Sequence, residues 1–325
     1  MDLVTLAIPV YNAEKYIERA LLSALDQTYP NMEYLIVDDR GNDNSVKIIS
    51  EIMSTHPRGK NVRIIEHSQN LGIGAGRNTA IEKAKGKYLC YMDNDDELTL
   101  DCVQKLYDEM IKTDADVVGG SYKIVSENTT LSEMQEEIKL TGNEKIIGSY
   151  FNGIFNFPTW NKLYKLDFLR KNNICSIHRT IDDVYFSFLV ALNAQSFSRI
   201  KDITYLHHTR NDSASGGTGT VWKEIVFREY IQIFKDMSDY LRQSSLNPAL
   251  KLNVKKKLFK RRYGIAKMAW KSPYHVRDCI KEYLSPTFLK DSDIFRSGFL
   301  FLGYVYSMMP LPEKKMIIQC IIGKS

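Results

Sequence analysis

Residues Tyr88–Leu98 read YLCYMDNDDEL. The stretch opens as an apolar run from Tyr88 to Met92, then breaks into Asp93, Asn94, Asp95 and Asp96. A short continuous apolar run that ends at a polar turn reads as a strand buried on both faces. Three carboxylates crowded at its end repel one another unless solvent, a helix N-terminus or a cation offsets them. The neighbouring elements decide between these.

Working outward, the first 125 residues alternate strands with helices. LVTLAIPV (Leu3–Val10) predicts a strand, with Asn12 placed to cap the next helix. That helix carries Tyr16, Ile17, Ala20, Leu21, Ala24 and Leu25 on one stripe. MEYLIVDD predicts a second strand, a helix starts near Ser45, and VRIIEH predicts a third strand. NLGIGAG reads as a glycine loop, RNTAIEKAKG and Leu100–Thr113 as helices, and ADVVGGSYKIV as a fifth strand. Such alternation predicts an α/β fold, Rossmann-like, with a mainly parallel central sheet flanked by helices. Parallel sheets bind ligands outside the carboxyl ends of their strands. Asn12, Asp38-Asp39 and the DNDD run therefore converge on one crevice.

Later segments add to that crevice. Ser126–Asn152 is polar and predicts an irregular excursion. Thr180–Leu192 predicts a helix with Asp182 and Asp183 at its start. IKDITYLHHTRND runs from a strand into a Ser/Gly/Thr-rich loop. After Val221 the pattern turns helical, basic and aromatic, which places a boundary near residue 220.

Composition bounds the function. The 325 residues are 44% hydrophobic and 26% charged, as in globular proteins. The five cysteines form no CxxC pair, so they indicate neither a zinc site nor a disulfide framework, and reduced thiols in a cytosolic protein fit them best. The N-terminus lacks a basic n-region and reads as a strand, not a signal peptide. The net charge of +5 hides an asymmetry: residues 221–325 hold 20 Lys/Arg against 9 Asp/Glu, and residues 1–220 hold 24 against 30. An acidic half repels a polyanion, which argues against a nucleic-acid partner.

Each candidate residue has a plain alternative. Gly72, Gly74 and Gly76 miss the dinucleotide-binding spacing, because Arg77 stands where the last glycine belongs. A structural turn that carries Arg77 towards a phosphate suits them better. Asp-x-Asp at a strand end suits a hard cation, held by one or two carboxylates plus substrate phosphates. The plain reading is a helix cap, and Asp96 is the acid that fits it. Asp182 fits an N-cap, which leaves Asp183 to act as a general base or to stay in the cap. His207 and His208 point to opposite faces of a strand, so one of them can face the crevice. His208 is a further candidate metal ligand, and Arg210 a candidate phosphate contact. Trp160 is either core or an exposed platform for the apolar face of a sugar ring.

Taken together, IPVYNAEKYIERALLSALDQTYPNMEYLIVDD, NLGIGAGRNTAI, AKGKYLCYMDNDDEL, WNKLYK and IDDVYFSFLV resemble the family 2 glycosyltransferases over roughly the first 210 residues. The resemblance implies the GT-A fold and inverting transfer from a nucleotide-diphosphate sugar, a UDP-sugar in preference, to a glycan or lipid-linked acceptor. It implies that Pro9, Tyr11 and Asn12 line the nucleotide pocket. Asp39 then contacts the base with Asp38 beside it, and Arg77 lies near the diphosphate. Asp93, with Asn94, meets the ribose or the metal, Asp95 binds Mn²⁺ or Mg²⁺, and Asp183 is the catalytic base. Asp182 and Trp160 fall on the acceptor side, and Arg210 matches a basic residue after the last core strand. Arg40 and Asp182 depart from the commoner residues of the family's pattern.

The expected organisation is a catalytic domain over 1–220, with a nucleotide-sugar half to about 125 and an acceptor half after it. Residues 221–325 form a basic, mainly helical extension. KLNVKKKLFKRRYGIAKMAW is its basic segment, and SGFLFLGYVYSMMPLP is an uncharged run shorter than the ~18 residues of a span. The extension is either a packed helical subdomain or a surface for anionic lipid at the inner face of the cell membrane. Two other functions fit the motifs: a non-catalytic nucleotide-sugar-binding scaffold, and a metalloenzyme that hydrolyses nucleotides.

Overall fold

A computed structural model describes residues 1–126, 130–133, 135–155, 157–177, 181–209 and 220–271. Two uninterrupted runs of buried residues set its centre. β1 (Val4–Val10) and β2 (Met32–Asp38) are buried at every position. Strands covered on both faces have no solvent face to fill with polar residues, so they read as continuous apolar runs. They pair in parallel, from Val4 with Met32 to Val10 with Asp38. β3 (Val62–Glu66) lies parallel on the far side of β2, and β4 (Tyr88–Tyr91) lies parallel to β1.

Helices join these strands. α1 (Ile17–Leu25) buries Ile17, Ala20, Leu21, Ala24 and Leu25, the stripe its spacing predicts. α2 (Ser45–Thr55) buries Ile49 and Ile52, and α3 (Ile73–Lys83) buries Ala80 and Ile81. After the two-residue β5 (Glu97–Leu98), α4 (Cys102–Thr113) buries Cys102, Val103, Leu106 and Met110. β6 (Val117–Val125) follows. One continuous core joins α1, β1, β2, β4 and α4 through Leu6, Ile8, Tyr34, Ile36, Cys90 and Leu106.

The rest of the sheet is mixed, not parallel. β7 (Thr130–Glu133) pairs with β6. β8 (Ile138–Thr141) pairs antiparallel with β10 (Ser196–His208). β9 (Lys162–Lys165) runs antiparallel between β4 and β6. The strand order is β3-β2-β1-β4-β9-β6-β10-β5. α5 (Asn143–Phe151), α6 (Leu166–Lys171) and α7 (Asp182–Asn193) complete the unit.

Three local expectations change. Asn12 does not cap α1, which begins at Ile17; Asn12 has φ 48° and its Oδ1 accepts from Asn42 N at 2.9 Å. The glycine segment is the first turn of α3. Gly72 precedes it at φ 91°, a conformation that favours glycine, and a Cβ on Gly76 would come within 3.1 Å of Pro9 Cβ. The glycines thus let α3 approach the end of β1. Ser126–Asn152 is not irregular, since it holds β7, β8 and all of α5.

The chain divides into two compact units between Glu229 and Tyr230. α8 (Thr220–Gln243) and α9 (Pro248–Lys271) are the described helices after β10. They bury Ile233, Phe234, Met237, Leu241, Leu250, Val254 and Leu258. Among the described residues no helix is long and apolar enough to cross a membrane. Arg210 and the run from Ser297 to Pro312 lie outside the described residues.

Candidate active site

The DNDD run is held from four directions. Tyr205 on β10 lies beneath it: its hydroxyl accepts from Asp93 N at 3.1 Å and donates to Asp96 Oδ2 at 2.8 Å. Asp96 is fully buried and also accepts from His208 N at 2.8 Å and His207 Nδ1 at 3.2 Å. Asn94 Nδ2 donates to Pro9 O at 2.8 Å, which ties the run to the end of β1. Arg19 on α1 donates to Asp95 O at 2.7 Å and pairs with Glu97 at 3.1 Å. Asp96 is therefore not a helix cap. α4 begins six residues later, at Cys102, and Asp96 is the buried acceptor that shapes the turn. With Asp96 turned inward, Asp93 and Asp95 stay partly exposed.

Arg77 joins this turn to α7. It is 3% exposed, and its Nη1 lies 2.5 Å from both oxygens of Asp182. Its Nη2 reaches Asp93 Oδ1 at 3.2 Å. Asp182 is 2% exposed and also accepts from Ser176 Oγ at 2.9 Å. Burial works to lower the Arg77 pKa, but Asp182 and Asp93 outweigh it and hold it above its ordinary value. Arg77 and Asp182 thus meet each other as a buried clamp. Asp183, the next residue of α7, is partly exposed. Burial pushes its carboxyl up to about 6, Asp182 adds to the rise and Arg77 opposes it. A carboxylate poised near working pH suits a general base.

Two further acids stand at the end of β2. Asp39 is 4% exposed and accepts from Leu71 N at 2.8 Å and Gly72 N at 2.7 Å. Its Oδ1 also lies 2.8 Å from His67 Nδ1. The other ring nitrogen, Nε2, lies 2.8 Å from Thr79 Oγ1, so the imidazole bridges Asp39 and α3. No periodicity marks His67. Its one signal is its place just after β3, on the same rim. Burial raises the Asp38 carboxyl, and backbone N–H groups of Gly41 and Arg40 oppose the rise. Tyr11 is exposed at 47%, and Pro9 and Asn12 sit beside it at the end of β1.

Trp160 is not the exposed platform that one reading expects. It is 8% exposed and stacks on Tyr205 (4.5 Å between centroids, 10° between planes) and on His207 (5.2 Å, 19°). Tyr122 meets it edge-on at 5.1 Å. His208 Nε2 lies 2.7 Å from Glu97 Oε1, while the His207 ring meets Asp96 of the DNDD run. Burial opposes protonation of His207, but the Asp96 hydrogen bond and the charges of Asp96, Asp93 and Asp95 raise its pKa.

The rim therefore gathers Asp93, Asp182 and Asp183 around one guanidinium, with Asp95 on the same turn as Asp93. The donor set suits a hard divalent cation. Asp95 and Asp93 offer carboxylate oxygens at a partly exposed turn, and among the described residues no group of three potential ligands converges. Two carboxylates are enough for a cation whose shell substrate phosphates complete.

GlyA, a glycosyltransferase of Streptococcus pneumoniae, is 29% identical over 237 residues, 69% of this chain and 32% of GlyA. The UDP-Glc:alpha-D-GlcNAc-diphosphoundecaprenol beta-1,3-glucosyltransferase WfgD of Escherichia coli is 26% identical over 190 residues, 54% of this chain and 73% of WfgD. The chain spans between 32% and 60% of the length of three curated relatives it matches, GlyA among them. The crystal structure of S. aureus TarS 1–349 in complex with UDP-GlcNAc superimposes with a TM-score of 0.72 at 20% identity, covering 87% of this chain and 80% of that one. That likeness establishes the GT-A fold. The family model described as Glycosyl transferase family 2 matches residues 5–180, more than half of the chain, which therefore belongs to the family 2 glycosyltransferases.

Proposed function

We propose that the chain is an inverting, metal-assisted glycosyltransferase. It moves a sugar from a nucleotide-diphosphate donor, a UDP-sugar in preference, to a hydroxyl of a glycan or lipid-linked acceptor. The observation that carries this reading is the Asp93–Arg77–Asp182 clamp, which brings the DNDD turn and the first turn of α7 onto one rim. Asp95 and Asp93 would hold the cation. When bound, it supplies charge neutralisation at the departing nucleoside diphosphate.

Pro9, Tyr11, Asn12, Asp38 and Asp39 bind the nucleoside, with Asn94 locked to Pro9 behind them. Asp183 takes the proton of the acceptor hydroxyl as that oxygen attacks the anomeric carbon from the face opposite the leaving group, which gives inversion. Asp182 holds Arg77, and Arg77 in turn fixes the distance between the nucleotide side and the base. Holding donor and acceptor in line supplies much of the acceleration. The catalytic domain covers 1–220 and the basic extension 221–325. α9 holds nine Lys/Arg and no Asp/Glu, a charge run that suits anionic lipid at the inner face of a membrane.

A thermal-shift screen of UDP, GDP and their sugars with Mn²⁺ tests the reading. One UDP-sugar should stabilise most, since stabilisation follows saturation, and EDTA should remove the gain. Full transfer by Asp183→Asn or Asp95→Ala would remove the roles given to those residues. Donor binding with no turnover for any acceptor would favour a binding scaffold.

A further inference from the structure

His67 is buried on the nucleoside side of the rim and has no part in that mechanism. The parallel register of β2 and β3 pairs Asp38 with Glu66, and His67 N donates to Asp38 O at 2.9 Å. The ladder thus runs on past β3 and sets His67 beside Asp39. The imidazole is 9% exposed, and both its nitrogens are engaged. Nδ1 lies 2.8 Å from Asp39 Oδ1, and Nε2 lies 2.8 Å from Thr79 Oγ1 on α3. A buried ring held at both nitrogens has no polar atom left for a ligand. What it does for the site, it does through Asp39.

A carboxylate has about four acceptor positions, two on each oxygen. Oδ1 of Asp39 meets Leu71 N and His67 Nδ1, each at 2.8 Å, and is full. Oδ2 meets Gly72 N at 2.7 Å, and among the described residues nothing takes its second position. Leu71 and Gly72 are adjacent and grip the carboxylate from one loop. His67 grips it from the end of β3 and is itself anchored on α3. The Asp39 backbone is fixed as well, since its N donates to Val10 O at 2.9 Å. The carboxylate is therefore held against rotation and offers one acceptor position in one direction.

A single acceptor of fixed direction discriminates between bases. Uracil presents a ring N–H between two carbonyls, whereas cytosine presents a bare ring nitrogen beside an amine. A fixed carboxylate accepts from the first and meets a lone pair on the second. A carboxylate free to turn can reach the cytosine amine instead. We propose that His67 is a positioning residue for nucleobase choice: it holds Asp39 in the orientation that accepts from uracil and turns cytosine away. This rests on the reading of Asp39 as a nucleoside contact.

The test is calorimetric titration of the full chain with UDP and with CDP, Mn²⁺ being present in both. The wild type should bind UDP more tightly. In His67→Leu the UDP affinity should fall by about tenfold while the CDP affinity holds, so the preference shrinks by the same factor. His67→Asn puts an amide where Nδ1 stands and should keep the preference. His67→Gln puts its amide where Nε2 stands and should lose it. A residue that only supports the fold would lower the melting temperature and weaken both nucleotides alike. A wild-type preference in His67→Leu would reduce His67 to that role. If this variant does not fold, equal preferences in His67→Asn and His67→Gln would do the same. Asp39→Ala separates the two claims: a wild-type preference there takes Asp39 off the base, whatever His67 does. A wild type that binds UDP and CDP equally would remove both.

Discussion

Asp182→Ala removes one partner from the most buried ion pair of the site. Arg77 and Asp182 are 3% and 2% exposed, and Asp182 places both oxygens 2.5 Å from Nη1. What remains for the guanidinium is one 3.2 Å contact to Asp93. A guanidinium cannot relieve the strain by losing its proton. Breaking a buried pair from one side costs about 3–5 kcal/mol. Ser176 Oγ also loses its acceptor, worth about 1 kcal/mol more. For a unit of this size 1 kcal/mol moves the melting temperature by about 2–4 °C, so the drop should be roughly 8–24 °C. Urea unfolding followed by circular dichroism measures it, with an unchanged m-value as the sign that only stability moved. Arg77→Met with Asp182→Leu removes both charges and should recover most of the loss, because the desolvation term goes with them. A single variant within about 1 kcal/mol of the wild type would refute the buried clamp. So would a double variant no better than the single one.

Asp183→Asn should stabilise the protein at neutral pH while removing transfer. The Asp183 carboxyl rises from the ordinary carboxylate range to about 6 on folding. The folded state then holds its proton more tightly than the unfolded state, and wild-type stability falls as pH climbs through that window. The Asn variant lacks this fall, so it should gain on the order of 2 kcal/mol at pH 7.5 and nothing near pH 4, read from urea midpoints at the two pH values. Trp160→Ala should cost about 3–5 kcal/mol, because the indole is a buried cover on Tyr205 and His207; an unchanged melting temperature would return Trp160 to the role of a sugar platform. Tyr205→Phe leaves Asp96 without its 2.8 Å donor and Asp93 N without its acceptor, so donor affinity should fall along with stability. A fall in stability alone would show that the turn keeps its shape without that hydroxyl.

The outline of the site was legible because strand ends carry it. Once Leu3–Val10, MEYLIVDD and YLCYM read as parallel strands, Asp38, Asp39 and the DNDD run had to share a rim. What could not be read was pairing over distance. Arg77 and Asp182 stand 105 residues apart, and each looked like a ligand or a cap in isolation. Asp96 followed the composition of a helix start, yet a tyrosine and two histidines more than a hundred residues later claim it. Trp160 stays open between core and platform, and the histidine pair between two faces, for the same reason, since stacking against β10 has no local spacing. The first turn of α3 was hidden by its glycines, which read as a loop but serve close approach to Pro9.

The place of β9 also bears on how the chain reaches this structure. β4 is complete by Tyr91 and β6 by Val125, yet the strand that joins them begins at Lys162. Until that segment arrives, β4 keeps an open backbone edge on one side, and β6 has no link to the parallel half of the sheet. Closure must therefore follow a long search between distant segments, which makes it slow relative to pairing within β1–β4. A chain stopped before residue 162 would carry both edges unpaired. Such a fragment is built for association with its own kind, and the four residues KLYK stand between that outcome and the native sheet.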